Sequence, residues 1–215
     1  MRSYAGGKKA NKLALQKELG LKETNDVMMI GMVSRLTNQK GVYLITDRLR
    51  EILGMDVQMV VLGTGEANAE NAFKWMENEY KGKAVYYCGY NEELAHRIYA
   101  GCDLFLMPSI YEPCGIGQLI AMHYGSLPLV RETGGLKDTV HPFNQYTGEG
   151  NGFSFWAVNA DDMVYTLRWA ADQYYNNKPG WKGLVKNAMN SDVSWEKSAD
   201  LYEQLYYTLC AWKDN

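Results

Sequence analysis

Residues 104–119 read LFLMPSIYEPCGIGQL. Leu104-Phe105-Leu106-Met107 is uninterruptedly apolar, Pro108-Ser109 ends the run, and a helical pattern opens near Gly115-Ile116. A short run of this kind, bounded by turn residues, reads as a strand buried on both faces, and such strands belong to parallel sheets covered by helices. Between strand and helix stands one carboxylate, Glu112, in a turn set by Pro113 and Gly115. The simplest reading makes it a helix-dipole acid, because negative charge is favourable near a helix N-terminus.

Four more runs have the same character: VMMIGMV (27–33), VQMVVLG (57–63), AVYYCGY (84–90) and LPLVRE (127–132). Helical spacing fills the gaps. Val42, Ile45, Leu49, Ile52 and Leu53 share one face, ANAENAFKWMENEY (67–80) is rich in helix formers, and Leu94, Ala95, Ile98 and Cys102 recur every three or four residues. Ile116, Leu119, Ile120 and His123 repeat the pattern after the quoted stretch. Alternating strands and helices predict a doubly wound α/β fold, a Rossmann-like parallel sheet with extra C-terminal helices. The expected plan is a single domain: a linker and leading helix over 1–26 (Asn11 to Leu19 helical), a core over 27–158 and C-terminal helices over 159–215. Met163, Leu167, Ala170 and Tyr174 mark one of those helices, and Trp195, Ala199, Tyr202, Tyr206 and Leu209 another. Asn177-Lys178-Pro179-Gly180 reads as the break between them, and HPFNQYTGEGNG (141–152) as an exposed loop.

A formal net charge of -3 gives no general attraction to nucleic acid or to anionic lipid, so neither is an expected partner. Any bound anion must be held by local cations and backbone N–H groups. No apolar run approaches the roughly 18 residues of a membrane span, and the opening MRSYAGGKKANK lacks the apolar core of a secretory signal. Four cysteines without a CxxC pair, beside three histidines, predict no structural zinc and no disulfide framework, which suits a reducing compartment. Cys114 lies inside the quoted motif, but no histidine near it in sequence offers itself as a base.

In open parallel sheets ligands bind beyond the carboxyl ends of the strands. Those ends carry SRLTNQKG (34–41), GTGE (63–66), GYNEE (89–93), SIYEPCG (109–115) and RETGG (131–135), which should converge on one cleft. GTGEAN is only a partial dinucleotide fingerprint, lacking the third glycine, and no GxxxxGK[ST] phosphate loop occurs. Arg35 and Lys40 stand five residues apart on one loop and can grip an anion from two directions, the first as a planar fork and the second as a point charge. Thr133-Gly134-Gly135 offers close backbone approach and N–H groups at a helix start. Together they describe a diphosphate site. Glu112 would repel phosphate, so it makes better sense as an acceptor for hydroxyls on an attached group such as a sugar. Tyr90 offers a flat face either to a base ring or to a neighbouring loop.

Taken in order, SRLTNQKG, GYNEELAHRIYAGCD, PSIYEPCGIGQL, YGSLPLVRETGGLKDTV and SWEKSADLYEQLY resemble the bacterial glycogen synthase and plant starch synthase family over essentially the whole chain. The resemblance covers the carboxy-terminal, donor-binding half of such an enzyme, a GT-B glycosyltransferase built from two Rossmann-like domains. It implies ADP-glucose as donor and the non-reducing end of an α-1,4-glucan as acceptor, with retention of configuration. It also implies that Arg35 and Lys40 neutralise the leaving diphosphate, that Glu112 holds glucose hydroxyls and that Tyr90 lies against adenine. Thr133, Gly134 and Gly135 correspond to the loop on the distal phosphate, and Cys114 and Gly115 of the EPCG turn join the donor-binding set. No metal or other cofactor is implied.

Related glycosyltransferases often carry a second glutamate eight residues after the first; here that position is Ile120, which favours the starch and glycogen synthase branch. The family's Lys-x-Gly-Gly-Leu loop and acceptor-facing histidine belong to the amino-terminal half and do not occur here, so Met1 is expected near an interdomain linker. The acceptor would then be met through that other half, and the domain alone would transfer glucose poorly or not at all. The family implies a bacterial cytoplasm or a plastid stroma as location. Two alternatives stay open: a non-catalytic interaction or folding module of the same shape, and a related transferase using UDP- or GDP-sugar.

Overall fold

The computed structural model describes residues 4–213; the first three residues of the expected linker lie outside them. Among the described residues six strands form one sheet: β1 (Met28–Val33), β2 (Val57–Gly63), β3 (Ala84–Cys88), β4 (Leu104–Met107), β5 (Leu127–Arg131) and β6 (Phe153–Phe155). Their order is β3-β2-β1-β4-β5-β6 and every neighbouring pair is parallel. The direction of winding reverses between β1 and β4, which leaves a crevice at their carboxyl ends.

The sheet explains its own apolar runs. Met28, Ile30 and Met32 enter one core layer, whereas Met29 enters the layer on the opposite face. Gly31 also faces that second layer, where an added Cβ would lie 2.7 Å from Ile98 Cγ2. A strand covered on both faces is apolar at nearly every position, and the buried exception, Gln58 of β2, has its amide satisfied by Gln16 and the Lys22 carbonyl. At the sheet edge that demand lapses, and β3 ends with Tyr87 and Cys88 exposed. β6 is not foreseen by the sequence reading, because three residues, Phe-Ser-Phe, are too few to show a period.

Among the described residues ten α-helices accompany the sheet: α1 (Tyr4–Glu18), α2 (Val42–Thr46), α3 (Leu49–Gly54), α4 (Ala67–Glu79), α5 (Glu92–Gly101), α6 (Gly117–His123), α7 (Gly134–Thr139), α8 (Ala160–Asn176), α9 (Lys178–Met189) and α10 (Trp195–Lys213). Three expectations need correction. The apolar face spanning Val42 to Leu53 belongs to two helices, broken at Asp47-Arg48, although all five of its residues are buried. The Asn-Lys-Pro-Gly break is the start of α9: Asn177 Oδ1 accepts from Gly180 N at 3.0 Å, and proline is tolerated in a first helical turn. The buried face of α6 is Gln118, Ala121 and Met122, while Ile116 and His123 are exposed.

On the amino-terminal side of the sheet, Lys12 of α1 is buried, with 2% exposure. Its ammonium donates to Asp103 Oδ2 at 2.6 Å, to the Val27 carbonyl and to Tyr174 OH at 3.3 Å. Asp103 Oδ2 also accepts from the Met29 N–H at 2.8 Å. One ion pair thereby ties α1 and α8 to the beginnings of β1 and β4. α10 is exposed along nearly all of its length, including Leu201, Tyr202, Leu205, Tyr206 and Trp212. Among the described residues no helix is long and apolar enough to cross a membrane.

Candidate donor site

The crevice between β1 and β4 holds a cavity of about 270 Å³ lined by Ser34, Arg35, Lys40, Ser109, Glu112 and Gly115, among others. Lys40 closes a single 3₁₀ turn, Asn38–Lys40, and Gly41 follows at φ 70°. A Cβ on Gly41 would lie 1.9 Å from the Pro108 carbonyl oxygen, so only glycine lets the Arg35–Lys40 loop rest against the end of β4.

Glu112 is 8% exposed. Its Oε2 accepts from Lys40 Nζ at 2.5 Å and from Ser109 Oγ at 3.2 Å. The helix-dipole reading therefore fails: α6 begins at Gly117 with Ile116 as its N-cap, and the electrostatic partner of the acid is a lysine on another loop. Lys40 is itself largely covered, with 19% of its side chain accessible. Arg35 does stand exposed.

Arg35 also borders a second cavity of about 250 Å³, shared with Gly63, Thr64, Tyr90 and Asn91. Tyr90 is 86% exposed, with its hydroxyl 3.4 Å from Glu92, so packing on a neighbouring loop is not its role. Below it, Asn91 Oδ1 caps α5 by accepting from Leu94 N. The β2 end of this cavity is fixed by Glu70, which accepts from Thr64 Oγ1 at 2.6 Å and from Gly65 N at 3.0 Å. Those two donors, the hydroxyl first, hold the Glu70 carboxyl down at about 2.

Thr133, Gly134 and Gly135 stand behind the EPCG turn and line neither of these two cavities. The Gly135 N–H donates to the carbonyls of Glu112 at 3.2 Å and Pro113 at 3.0 Å. A Cβ on Gly134 would lie 2.2 Å from the Glu112 carbonyl oxygen, and one on Gly135 2.0 Å from that of Cys114. The first structural demand for glycine here is contact between two loops, where the sequence suggested contact with a ligand. Cys114 is exposed on the outside of this turn. Gly135→Ala should cost about 1–3 kcal/mol, the range for overpacking, because the obstacle is backbone. Chemical denaturation measures the loss, and a variant as stable as the parent would show that the loops can separate freely.

Three residues around Glu112 escape the sequence reading. Ser109 is 2% exposed and donates to the acid. Gln118 is fully buried, and its amide donates to the carbonyls of Cys114 at 3.2 Å and Gly115 at 3.0 Å. Arg131 donates to the carbonyls of Ser109 and Ile110. A glutamine on the face that packs inward was the available signal for Gln118. Nothing local marks Arg131, whose partners lie about twenty positions earlier.

A six-stranded parallel sheet of this order, with two cations and a buried acid at its switch point, defines a GT-B-type α/β domain. The chain belongs to the group 1 glycosyl transferases: the family description "Glycosyl transferases group 1" matches residues 12–179. It is 55% identical over 202 residues to the glycogen synthase of Bacillus cereus (strain B4264) and 54% identical over 202 residues to that of Clostridium acetobutylicum. Each alignment covers 94% of this chain, and the chain spans 42% of the length of these relatives. Among solved structures, it is similar to the catalytic domain of starch synthase IV from Arabidopsis thaliana, solved bound to ADP and acarbose. That match has a TM-score of 0.85 and 38% identity, covering 94% of this chain and 42% of the other.

Proposed function

We propose that this domain binds ADP-glucose and serves as the donor half of a glycogen or starch synthase, which transfers glucose to the non-reducing end of an α-1,4-glucan with retention. The observation that carries the reading is the meeting of Arg35, Lys40 and Glu112 at the β1/β4 crevice, in a chain 55% identical to a glycogen synthase. Arg35 and Lys40 face the diphosphate and stabilise the charge that develops on it as the glycosidic bond breaks. Without donor, the Lys40 ammonium neutralises Glu112; with donor, it turns to phosphate, and the carboxylate accepts from glucose hydroxyls. Tyr90 stacks on adenine at the second cavity. Cys114, Gly115 and the Thr133–Gly135 loop complete the donor side, and these cations do the work without a metal. The acceptor is met through an amino-terminal half, so the domain alone transfers little or no glucose. The setting is a bacterial cytoplasm or a plastid stroma.

Calorimetric titration with ADP tests this directly. The chain should bind ADP, and Arg35→Ala should weaken binding about tenfold, the low end for a charge-assisted hydrogen bond. Because Arg35 is exposed, that substitution should leave the unfolding midpoint nearly unchanged. Absence of heat at millimolar ADP would overturn the donor-site reading in favour of a non-catalytic module, and tighter binding of UDP or GDP would reassign the nucleotide. Glucan extension by the purified domain would overturn its inactivity.

A further inference from the structure

The segment Ser109-Ile110-Tyr111 lies in neither helix nor strand, so its backbone groups need partners from elsewhere. Its N–H groups are held by the cation-bearing loop: Ile110 N and Tyr111 N donate to the Gln39 carbonyl at 2.9 and 3.4 Å. The Tyr111 carbonyl accepts from Gln39 Nε2 at 3.3 Å on that same loop, and the carbonyls of Ser109 and Ile110 are held by one side chain at the end of β5. Arg131 Nε donates to Ser109 O at 2.9 Å, and Nη2 donates to Ile110 O. Nη1 lies 3.4 Å from Trp156 O, just past the end of β6. The guanidinium fork thus fixes the two residues that lead into Glu112, one of which, Ser109, also donates to its carboxylate.

We propose that Arg131 is the positioning residue for Glu112. It touches neither of the two cavities; it acts by setting where the carboxylate stands relative to Arg35 and Lys40. A planar fork presents its donors to two successive carbonyls at a fixed spacing, whereas an ammonium offers rotatable donors from a single nitrogen and does not set that spacing. A site performs only if the groups behind its contact residues hold those residues in place. The inference rests on the reading that Glu112 addresses the sugar and the two cations address the diphosphate. Arg131 therefore governs recognition of glucose and leaves recognition of ADP largely alone.

Two measurements on the 215-residue chain test it. In titrations with ADP and ADP-glucose, Arg131→Met should leave the ADP Kd within about twofold while moving the ratio of the two Kd values to that of Glu112→Gln, with Arg131→Lys intermediate. In the ligand-free protein, amide exchange at Ile110 and Tyr111 should quicken about tenfold in Arg131→Met and stay near the parent rate in Glu112→Gln. A merely structural role would weaken ADP and ADP-glucose alike and leave the ratio at the parental value, which overturns the proposal. Unchanged exchange in Arg131→Met overturns it as well, whether or not ligand binds. If Glu112→Gln itself leaves the ratio untouched, the sugar role of Glu112 falls, and with it the claimed effect of Arg131 on glucose. Faster exchange would then show the clamp as a feature of the loop alone.

Discussion

Lys40→Ala should destabilise the domain by about 2–3 kcal/mol and weaken ADP binding by about 10–100-fold. The stability loss follows from the company Lys40 keeps. Breaking a buried ion pair by removing one partner costs about 3–5 kcal/mol, because the other charge stays buried and alone. With 19% of the Lys40 and 11% of the Glu112 side chain accessible, water recovers part of that, which lowers the figure. The affinity loss is that of one charge-assisted contact to phosphate, about 1.5–3 kcal/mol. The double variant Lys40→Ala/Glu112→Gln separates the two effects. It should regain most of the stability, since no unpaired charge remains, and none of the affinity. Denaturant unfolding and ADP calorimetry on the parent and the two variants give both numbers. Full stability in Lys40→Ala would mean that Glu112 finds another partner or enough water.

Lys12→Met should cost about 3–5 kcal/mol, the full range for a broken buried pair, because only 3% of the Lys12 side chain is accessible. Methionine keeps the apolar stem, so the loss comes from the ammonium. Without it Asp103 retains the Met29 N–H, while the Val27 carbonyl and Tyr174 hydroxyl lose a donor. For a chain of this size each kcal/mol is worth about 2–4 °C of melting temperature, so a fall of about 6–20 °C is expected. Intrinsic ADP affinity should not change below the melting transition, because this pair sits at the amino ends of β1 and β4 and the cavity proposed for the donor at their carboxyl ends. Lys12→Met/Asp103→Asn should recover part of the stability. A small loss in the single variant would assign the anchoring of α1 to its apolar contacts instead.

These two lysines mark the limit of what could be read from the chain. The pattern of apolar runs placed five strands, because a strand covered on both faces is apolar at nearly every position. It missed β6, three residues long, and it read a capped proline turn as a break. Loop position brought Arg35, Lys40 and Glu112 to one crevice, since parallel strands present all their carboxyl ends on one side. It gave Lys40 an anion to grip and Glu112 the hydroxyls of a sugar, yet each holds the other in the folded chain. Gln118 went unread because its apolar neighbours set the pattern, although its value lies in capping the EPCG turn from below.

The sequence by itself determined the alternation of strand and helix, the parallel sheet and the set of loops from which a ligand site is drawn, because burial and turn chemistry are written in local spacing. Only the tertiary structure decided which charges meet. Lys40 with Glu112 is 72 positions apart and Lys12 with Asp103 is 91. Arg131 reaches back 22 to Ser109. Such pairings depend on how loops from different strands settle against one another, at the distance of a hydrogen bond, and no period along the chain encodes that distance. The stretch LFLMPSIYEPCGIGQL therefore announced a strand, a turn and an acid; the fold supplied the lysine that neutralises the acid and the arginine that holds its loop.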